Sequence, residues 1–396
     1  MQITVQKYGG KSVATISRIK QVAKKIVKRQ KSGEKLVVVV SAMSDTTDRL
    51  LEFAKLVSPN PPERELDMLL TAGERISMAL LSMAIWCNGG RAISFTGSQS
   101  GIITDDNHTR ARIVEIRANR IIEELNNDKI VIVAGFQGVS GRREITTLGR
   151  GGSDTTAVAL ACALGADVCE IYSDVDGIYS ADPKKIKGAR HIDEIDYETL
   201  FDMTFFGAKV VHSRAVEMAR KFGVKLVLAS SMKEGNYTMV KSKSLEGAKF
   251  IAVSSHPEIY WIEATLPRES FRNVVRKLDE LRTNLRNPSV TVENENIRLS
   301  FWILPDQLPE VDKLIRDTGR NTFRIYDAGL VAASGYGIAH SAEAIVLITE
   351  ILEKNAIPYH HIGTTNQSVF IILPKDFVGP AEKVLHKRLI AEGEKL

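Results

Sequence analysis

Short β-branched runs alternate with stretches of helical periodicity over the first two thirds of the chain. This pattern predicts βα units around a largely parallel sheet. The strand candidates are Ile3 to Lys7, Leu36 to Ser41, Ala92 to Thr96, Ile130 to Phe136, Val168 to Ser173 and Lys225 to Ala229. The run Leu36-Val37-Val38-Val39-Val40 has no polar position, so both of its faces are expected to be buried. Helices are predicted over Ile16 to Lys31, Thr47 to Val57, Glu63 to Cys87, Arg110 to Asn126, Asp154 to Leu164 and Ala208 to Phe222.

From Tyr237 to Lys249 the pattern lapses into Lys, Ser and Gly, which places a boundary there and a first domain over residues 1–245. Beyond it, β-like runs at Ile259 to Thr265, Ile297 to Leu304 and Val369 to Leu373 are interspersed with helical stretches. These cover Ser270 to Arg286, Leu308 to Asp317, Glu343 to Asn355 and Pro380 to Leu389. Strand and helix recur in short units, which predicts two small α+β modules of similar layout.

The 396 residues are 44% hydrophobic and 26% charged, an ordinary globular composition with room for two or three domains. The net charge of +5 is too small to argue for nucleic acid, and the lysines of Lys20 to Lys35 read as the solvated face of an amphipathic helix. Cys87, Cys162 and Cys169 lack metal-ligand spacing and read as buried, reduced thiols. Met1 leads directly into a strand-like run, and no stretch reads as a membrane span. The expected location is the cytoplasm.

Candidate chemistry concentrates after the predicted strands. Thr146-Thr147-Leu148-Gly149-Arg150-Gly151-Gly152-Ser153-Asp154 joins three glycines to a cation, a hydroxyl and a carboxylate just before an apolar helix. Glycines let consecutive N–H groups face an anion at a helix start, and a guanidinium fork suits a carboxylate or phosphate. The alternative is a turn that ends in Ser153 or Asp154 as a simple N-cap. Lys7-Tyr8-Gly9-Gly10-Lys11-Ser12 follows the first strand and is not a Walker loop; it is a phosphate cradle or an ordinary turn. Ser41 to Asp48 collects more hydroxyls and carboxylates than one helix cap needs. Glu74 is either a solvated helix carboxylate or a partner for an amino group. Ser173 to Lys184 is either a surface loop or a nucleotide site in which Tyr179 meets a base and Lys184 and Lys209 meet phosphates. Together these loops suit phosphoryl transfer, which needs charge neutralisation and alignment. The eight histidines are scattered, with His256, His340, His360 and His361 in the C-terminal region.

In their order along the chain, Lys7 to Gly10, Val38 to Asp48, Leu69 to Arg75, Ser94 to Gln99, Ala134 to Gly138, Thr146 to Asp154 and Ser173 to Pro183 resemble the aspartate kinases of the amino-acid kinase family. The resemblance implies an α/β amino-acid kinase-like domain with a largely parallel sheet flanked by helices. Two ACT-like modules would follow within 250–396, one nested at about 257–320 and the other built from about 250–256 and 325–396. It implies transfer of the γ-phosphoryl group of ATP to the side-chain carboxylate of L-aspartate, with Mg2+ bridging the phosphates and no protein metal site.

By matched position, Lys7 would stabilise the transferring group and Asp154 would organise the catalytic centre. Gly9, Gly10 and Ser41 would line the phosphate path, and Ser173, Asp174, Tyr179, Lys184 and Lys209 would hold ATP. Thr47, Glu74, Arg150, Gly151, Gly152 and Ser153 would hold aspartate. The resemblance also implies a homo-oligomer formed through the ACT-like modules.

Lys11 stands where the family usually has Thr or Ser, which keeps open a kinase with another carboxylate acceptor. Lys184 replaces a common Arg. His340-Ser341-Ala342, Gly363-Thr364-Thr365, Pro267 to Phe271 and Arg282 to Ser289 depart from the usual regulatory motifs. These departures keep open a non-catalytic regulatory partner and leave any feedback amino acid unassigned.

Overall fold

The computed structural model describes residues 2–242, 249–281, 285–318, 323–338 and 341–393, which form two compact units. The first contains residues 2–179, 191–205 and 209–242, and the remaining described residues form the second. Much of the segment where the sequence pattern lapses, 243–248, lies outside the described residues, as do 282–284 and His340 of the altered regulatory motifs.

The first unit is built on an eight-stranded sheet. Its order is Glu194–Asp196, Tyr237–Lys241, Leu226–Ser230, Val168–Ser173, Ile3–Tyr8, Lys35–Val40, Ile130–Ala134 and Ala92–Phe95. Neighbours run parallel except for Tyr237–Lys241 against Leu226–Ser230. The all-apolar run 36–40 is central, and Val37 to Val40 are fully buried. The helix Ile16–Lys31 starts at Thr15, whose side chain accepts from Arg18 N. Its Ile19, Val22, Ala23 and Ile26 join Val38, Val40, Leu81 and Ile85 in one core. Lys20, Lys24, Lys28 and Lys31 face solvent, as expected of a solvated face.

Several local expectations change. Arg110 to Asn126 is a strand, Ile113–Ile116, followed by a shorter helix, Asn119–Asn126; antiparallel pairing with Ile102–Thr104 overrides the helical spacing. Ala208 to Phe222 is helical only over Ser213–Phe222, and Tyr197–Phe205 is a further helix. Tyr237–Lys241 is a strand whose Thr238 and Val240 alternate inward between exposed Tyr237 and Lys241.

The run Glu63–Cys87 divides into Glu63–Leu70 and Ala72–Cys87 at Thr71. Contrary to the sequence expectation, it is long and apolar enough to cross a membrane, with a window of mean hydropathy 1.4. Half of that window is packed inside the protein, and Leu81 and Ile85 belong to the core; this is a core helix pair. Cys87, expected to be buried, ends this run exposed.

The second unit carries a six-stranded antiparallel sheet in the order Arg286–Glu293, Asn296–Ile303, Lys249–Pro267, Phe323–Tyr336, Ser368–Leu373 and His361–Thr364. Lys249–Pro267 is irregular between His256 and Ile259 and serves two cores. One gathers Ile262, Leu266, Val274, Leu278, Phe301 and Leu314, and the other Phe250, Val331, Ile348, Leu352, Ile371 and Leu385. The predicted helix Ser270 to Arg286 is Arg268–Glu280, and Arg286 begins a strand. Two short segments from earlier in the chain also pack here. Ser180 Oγ lies 2.9 Å from His386 Nε2, and Phe206 stacks on Phe370 at 5.3 Å.

Candidate active site

Parallel register aligns Lys7 with Val39 and Ile171, and Tyr8 with Val40 and Tyr172. The loops that follow these strands therefore leave the same edge of the sheet. Gly9 N donates to Tyr172 O at 3.1 Å, and Ser41 N donates to Tyr8 O at 3.1 Å, which ties the three strand ends together. Tyr8 and Tyr172 stack at 4.9 Å with planes 8° apart beneath this corner. Burial pushes both phenols well above their ordinary value. A Cβ on Gly10 would stand 2.9 Å from Ala42 O, so only glycine lets the two loops approach this closely.

Lys7 and Asp154 form the centre. Their Nζ and Oδ1 atoms are 2.6 Å apart, and the side chains are 12% and 10% exposed. Asp154 Oδ2 accepts from His212 N at 3.0 Å, while Oδ1 meets the Lys7 ammonium as an ion pair and makes no hydrogen bond among the described residues. Asp154 lies in the first turn of the helix Gly152–Ala163. Its N-cap is Gly151, at φ 68° and with no side-chain capping bond, which replaces the reading of Ser153 or Asp154 as a simple cap. Gly152 N donates back to Gly149 O at 3.0 Å, and the later N–H groups of a first turn without a side-chain cap suit an anion. A Cβ on Gly151 would stand 2.1 Å from His212 Cγ, so the imidazole fills the space a side chain would need. Gly152 and Ser153 follow in the same turn, with Ser153 close under Gly135.

Glu74 enters from the helix Ala72–Cys87 and is 3% exposed. Oε1 accepts from Ala42 N at 3.0 Å, while the buried Oε2 has no hydrogen-bond partner among the described residues. Burial pushes its carboxyl up to about 7, partly offset by the Ala42 N–H. This group is a buried carboxylate held by one backbone donor, which replaces the reading of a solvated helix Glu.

Thr47 is half-buried in the first turn of Thr46–Val57, and Arg150 is exposed at the tip of the glycine loop. On the other side, Ser173 Oγ accepts from Val175 N at 3.2 Å. Tyr179 OH donates to Asp176 Oδ1 at 2.8 Å and holds that carboxyl below its usual range. Asp174 pairs with Lys11 at 2.8 Å. Lys209 is exposed in the loop before Ser213–Phe222, and Lys184 belongs to the second unit. Contacts therefore connect Lys7, Gly9, Gly10, Ser41, Glu74, Ser153 and Asp154 through a few shared loops. His212 had no sequence signal, because its link to Asp154 is made by its backbone.

A model of the amino acid kinase family matches residues 2–230. The aspartokinase of Mycolicibacterium smegmatis is 55% identical over 404 residues, spanning 98% of this chain and 96% of its own. That of Corynebacterium glutamicum is 40% identical over 411 residues, spanning 100% and 97%. The crystal structure of E. coli aspartokinase III in complex with aspartate and ADP, in the R-state, superposes with a TM-score of 0.84 over 98% of this chain and 99% of that one. At 22% identity this is a likeness of fold. The chain belongs to the amino acid kinase family and, within it, to the aspartokinases.

Proposed function

We propose that the chain transfers the γ-phosphoryl group of ATP to the side-chain carboxylate of L-aspartate. The product is 4-phospho-L-aspartate, and the reaction opens lysine, threonine and methionine synthesis. The observation that carries this reading is the mostly buried Lys7–Asp154 pair in the first turn of the helix Gly152–Ala163, with the buried Glu74 carboxylate on the helix Ala72–Cys87. A cation, a set of N–H groups and a separate anion are what a phosphoryl donor and an amino-acid acceptor require.

In this reading Lys7 neutralises the transferring group, while Gly9, Gly10 and Ser41 pass the phosphates along the loop edge. Asp154, fixed by His212 N–H, holds the Lys7 ammonium in place. Arg150 takes an aspartate carboxylate, Glu74 takes the ammonium, and Thr47, Gly151, Gly152 and Ser153 complete the acceptor pocket. Ser173, Asp174, Tyr179 and Lys209 hold the nucleotide. The close Gly10–Ala42 approach leaves backbone where phosphates would lie, which fits ATP. Mg2+ would bind chiefly to the phosphates themselves and neutralise their charge, a role a hard cation fills with few protein ligands.

Residues about 257–320, and about 250–256 with 325–396, form two ACT-like modules in this reading, supported by the two cores on one sheet. They pair copies into a homo-oligomer. The edge strand Arg286–Glu293, with Val290 and Val292 more than half exposed, supports that pairing. Three free thiols support a cytoplasmic location.

The deciding experiment incubates purified protein with aspartate, MgATP and hydroxylamine. Aspartyl hydroxamate is expected. Its absence, with ADP released on another carboxylic acid, would reassign the acceptor, and no turnover with any acceptor would leave the regulatory-partner reading.

A further inference from the structure

A buried carboxylate outside the residues assigned above ties the glycine loop to the helix pair that carries Glu74. Asp67, on Glu63–Leu70, is completely buried. Its Oδ1 accepts from Thr147 Oγ1 at 2.5 Å and from Thr109 N at 3.0 Å. Its Oδ2 lies 2.7 Å from His108 Nδ1 in a hydrogen bond and accepts from Thr109 N at 3.2 Å.

These donors come from the two segments that lead into the loop. Thr147 is the last residue of the strand Ile145–Thr147, immediately before Leu148 to Gly151, and it is fully buried. Thr109 sits at φ 63°, a conformation that costs a β-branched residue energy and persists when its surroundings enforce it. Ala111 N donates to Thr147 O at 2.8 Å, and Arg214 donates to Leu148 O at 3.0 Å and to Ala111 O at 3.2 Å. Asp67 therefore anchors both segments to one rigid helix, which Thr71 joins to the helix that starts at Ala72 and carries Glu74. At that junction Gln137 Nε2 donates to Thr71 O at 3.2 Å.

We propose that Asp67, held by His108, is a positioning residue that sets the distance between the glycine loop and Glu74 and thereby the affinity for the amino-acid acceptor. The proposal rests on the acceptor assignment above. Lys7, Gly9, Gly10 and the Ser173 segment make none of these contacts, so nucleotide affinity is independent of Asp67.

The test compares Thr147→Val, Thr147→Ser and Asp67→Asn in the full-length protein. KM is measured separately for aspartate and MgATP, and aspartate binding by calorimetry. Thr147→Val, which removes one donor to a buried carboxylate, raises KM and Kd for aspartate on the order of 10-fold. KM for MgATP stays within about twofold, Thr147→Ser restores the parent values, and Asp67→Asn behaves like Thr147→Val. The split between the substrates and the serine rescue would not follow from general loosening of the fold. Parent-like aspartate affinity in both Thr147→Val and Asp67→Asn overturns the proposal, as does an equal rise in both KM values. A parent protein that neither binds nor phosphorylates aspartate overturns the acceptor assignment itself, and the proposal with it.

Discussion

The Lys11 ammonium lies 2.8 Å from the Asp174 carboxylate, 163 residues away, and so turns toward the loop that begins the proposed nucleotide site. In sequence, Lys11 was the residue that opened the question of a different acceptor. In the structure its charge pairs with Asp174, on the side proposed for the nucleotide. Both side chains are substantially exposed, at 63% and 37%, so the pair adds little to stability. Lys11→Thr should leave the melting temperature within about 1 °C and the ranking of carboxylic acid acceptors unchanged, while altering KM for MgATP by about two- to fivefold. Steady-state kinetics over a panel of acceptors checks this; a new preferred acceptor in Lys11→Thr would show that Lys11 acts on the acceptor side.

Lys7 and Asp154 supply the second prediction. Lys7→Ala removes the cation from a site where the developing charge is shielded from water, and kcat should fall about 100- to 1,000-fold. It also leaves Asp154 mostly buried without its partner, which should cost about 3 kcal/mol in denaturant unfolding. Asp154→Asn keeps an oxygen for His212 N–H, so its stability loss should be smaller although its kcat falls comparably. Activity within threefold of the parent in either variant would remove the pair from the chemistry.

The extent to which this was legible in the sequence depended on whether a residue's meaning is local. The strands 36–40 and 130–134 could be read because no polar position interrupts them, and the glycine loop because positive φ values at Gly149 and Gly151 demand glycine. Ile113–Ile116 could not, since Ile113 and Ile116 are three apart and suit a helix until a partner strand pairs with them. Phe323–Tyr336 was hidden by its Ala, Ser and Gly content and exists through strands on both sides. Asp67 stands among Glu63 and Glu65 with the same local character, yet those two face solvent and Asp67 does not. Long-range packing alone distinguishes them.

Glu74 gives the protein a pH signature. Burial raises its carboxyl to about 7 from an ordinary value of 4.5, so the folded state holds that proton more tightly than the unfolded chain. Its contribution to stability is fully present below about pH 4.5 and is lost as pH rises through about 7. Ligand-free Glu74→Gln should therefore exceed the parent in stability by about 3 kcal/mol at pH 8 and converge with it near pH 4.5. In the proposed acceptor role the benefit runs the opposite way. If Glu74 takes the aspartate ammonium as proposed, its ionised form binds it more strongly, so KM for aspartate should fall between pH 6 and 8 in the parent and stay flat in Glu74→Gln. Denaturation and kinetic profiles that run parallel in the two proteins would contradict both statements.

Gly151 makes the most local prediction and separates two causes of damage. Alanine there must occupy φ 68°, which costs about 1–2 kcal/mol, and its Cβ would also fall 2.1 Å from His212 Cγ. The ring has to move, and the backbone N–H of the same residue holds Asp154 Oδ2, so displacement reaches the Lys7 partner directly. Gly151→Ala should lose stability and at least about 10-fold in kcat. In the Gly151→Ala/His212→Ala double variant the collision is gone but the left-handed strain is not. Its kcat should recover toward that of His212→Ala alone, while its stability stays about 1–2 kcal/mol below that of His212→Ala. A double variant no more active than Gly151→Ala would mean that the ring does not transmit the damage to Asp154.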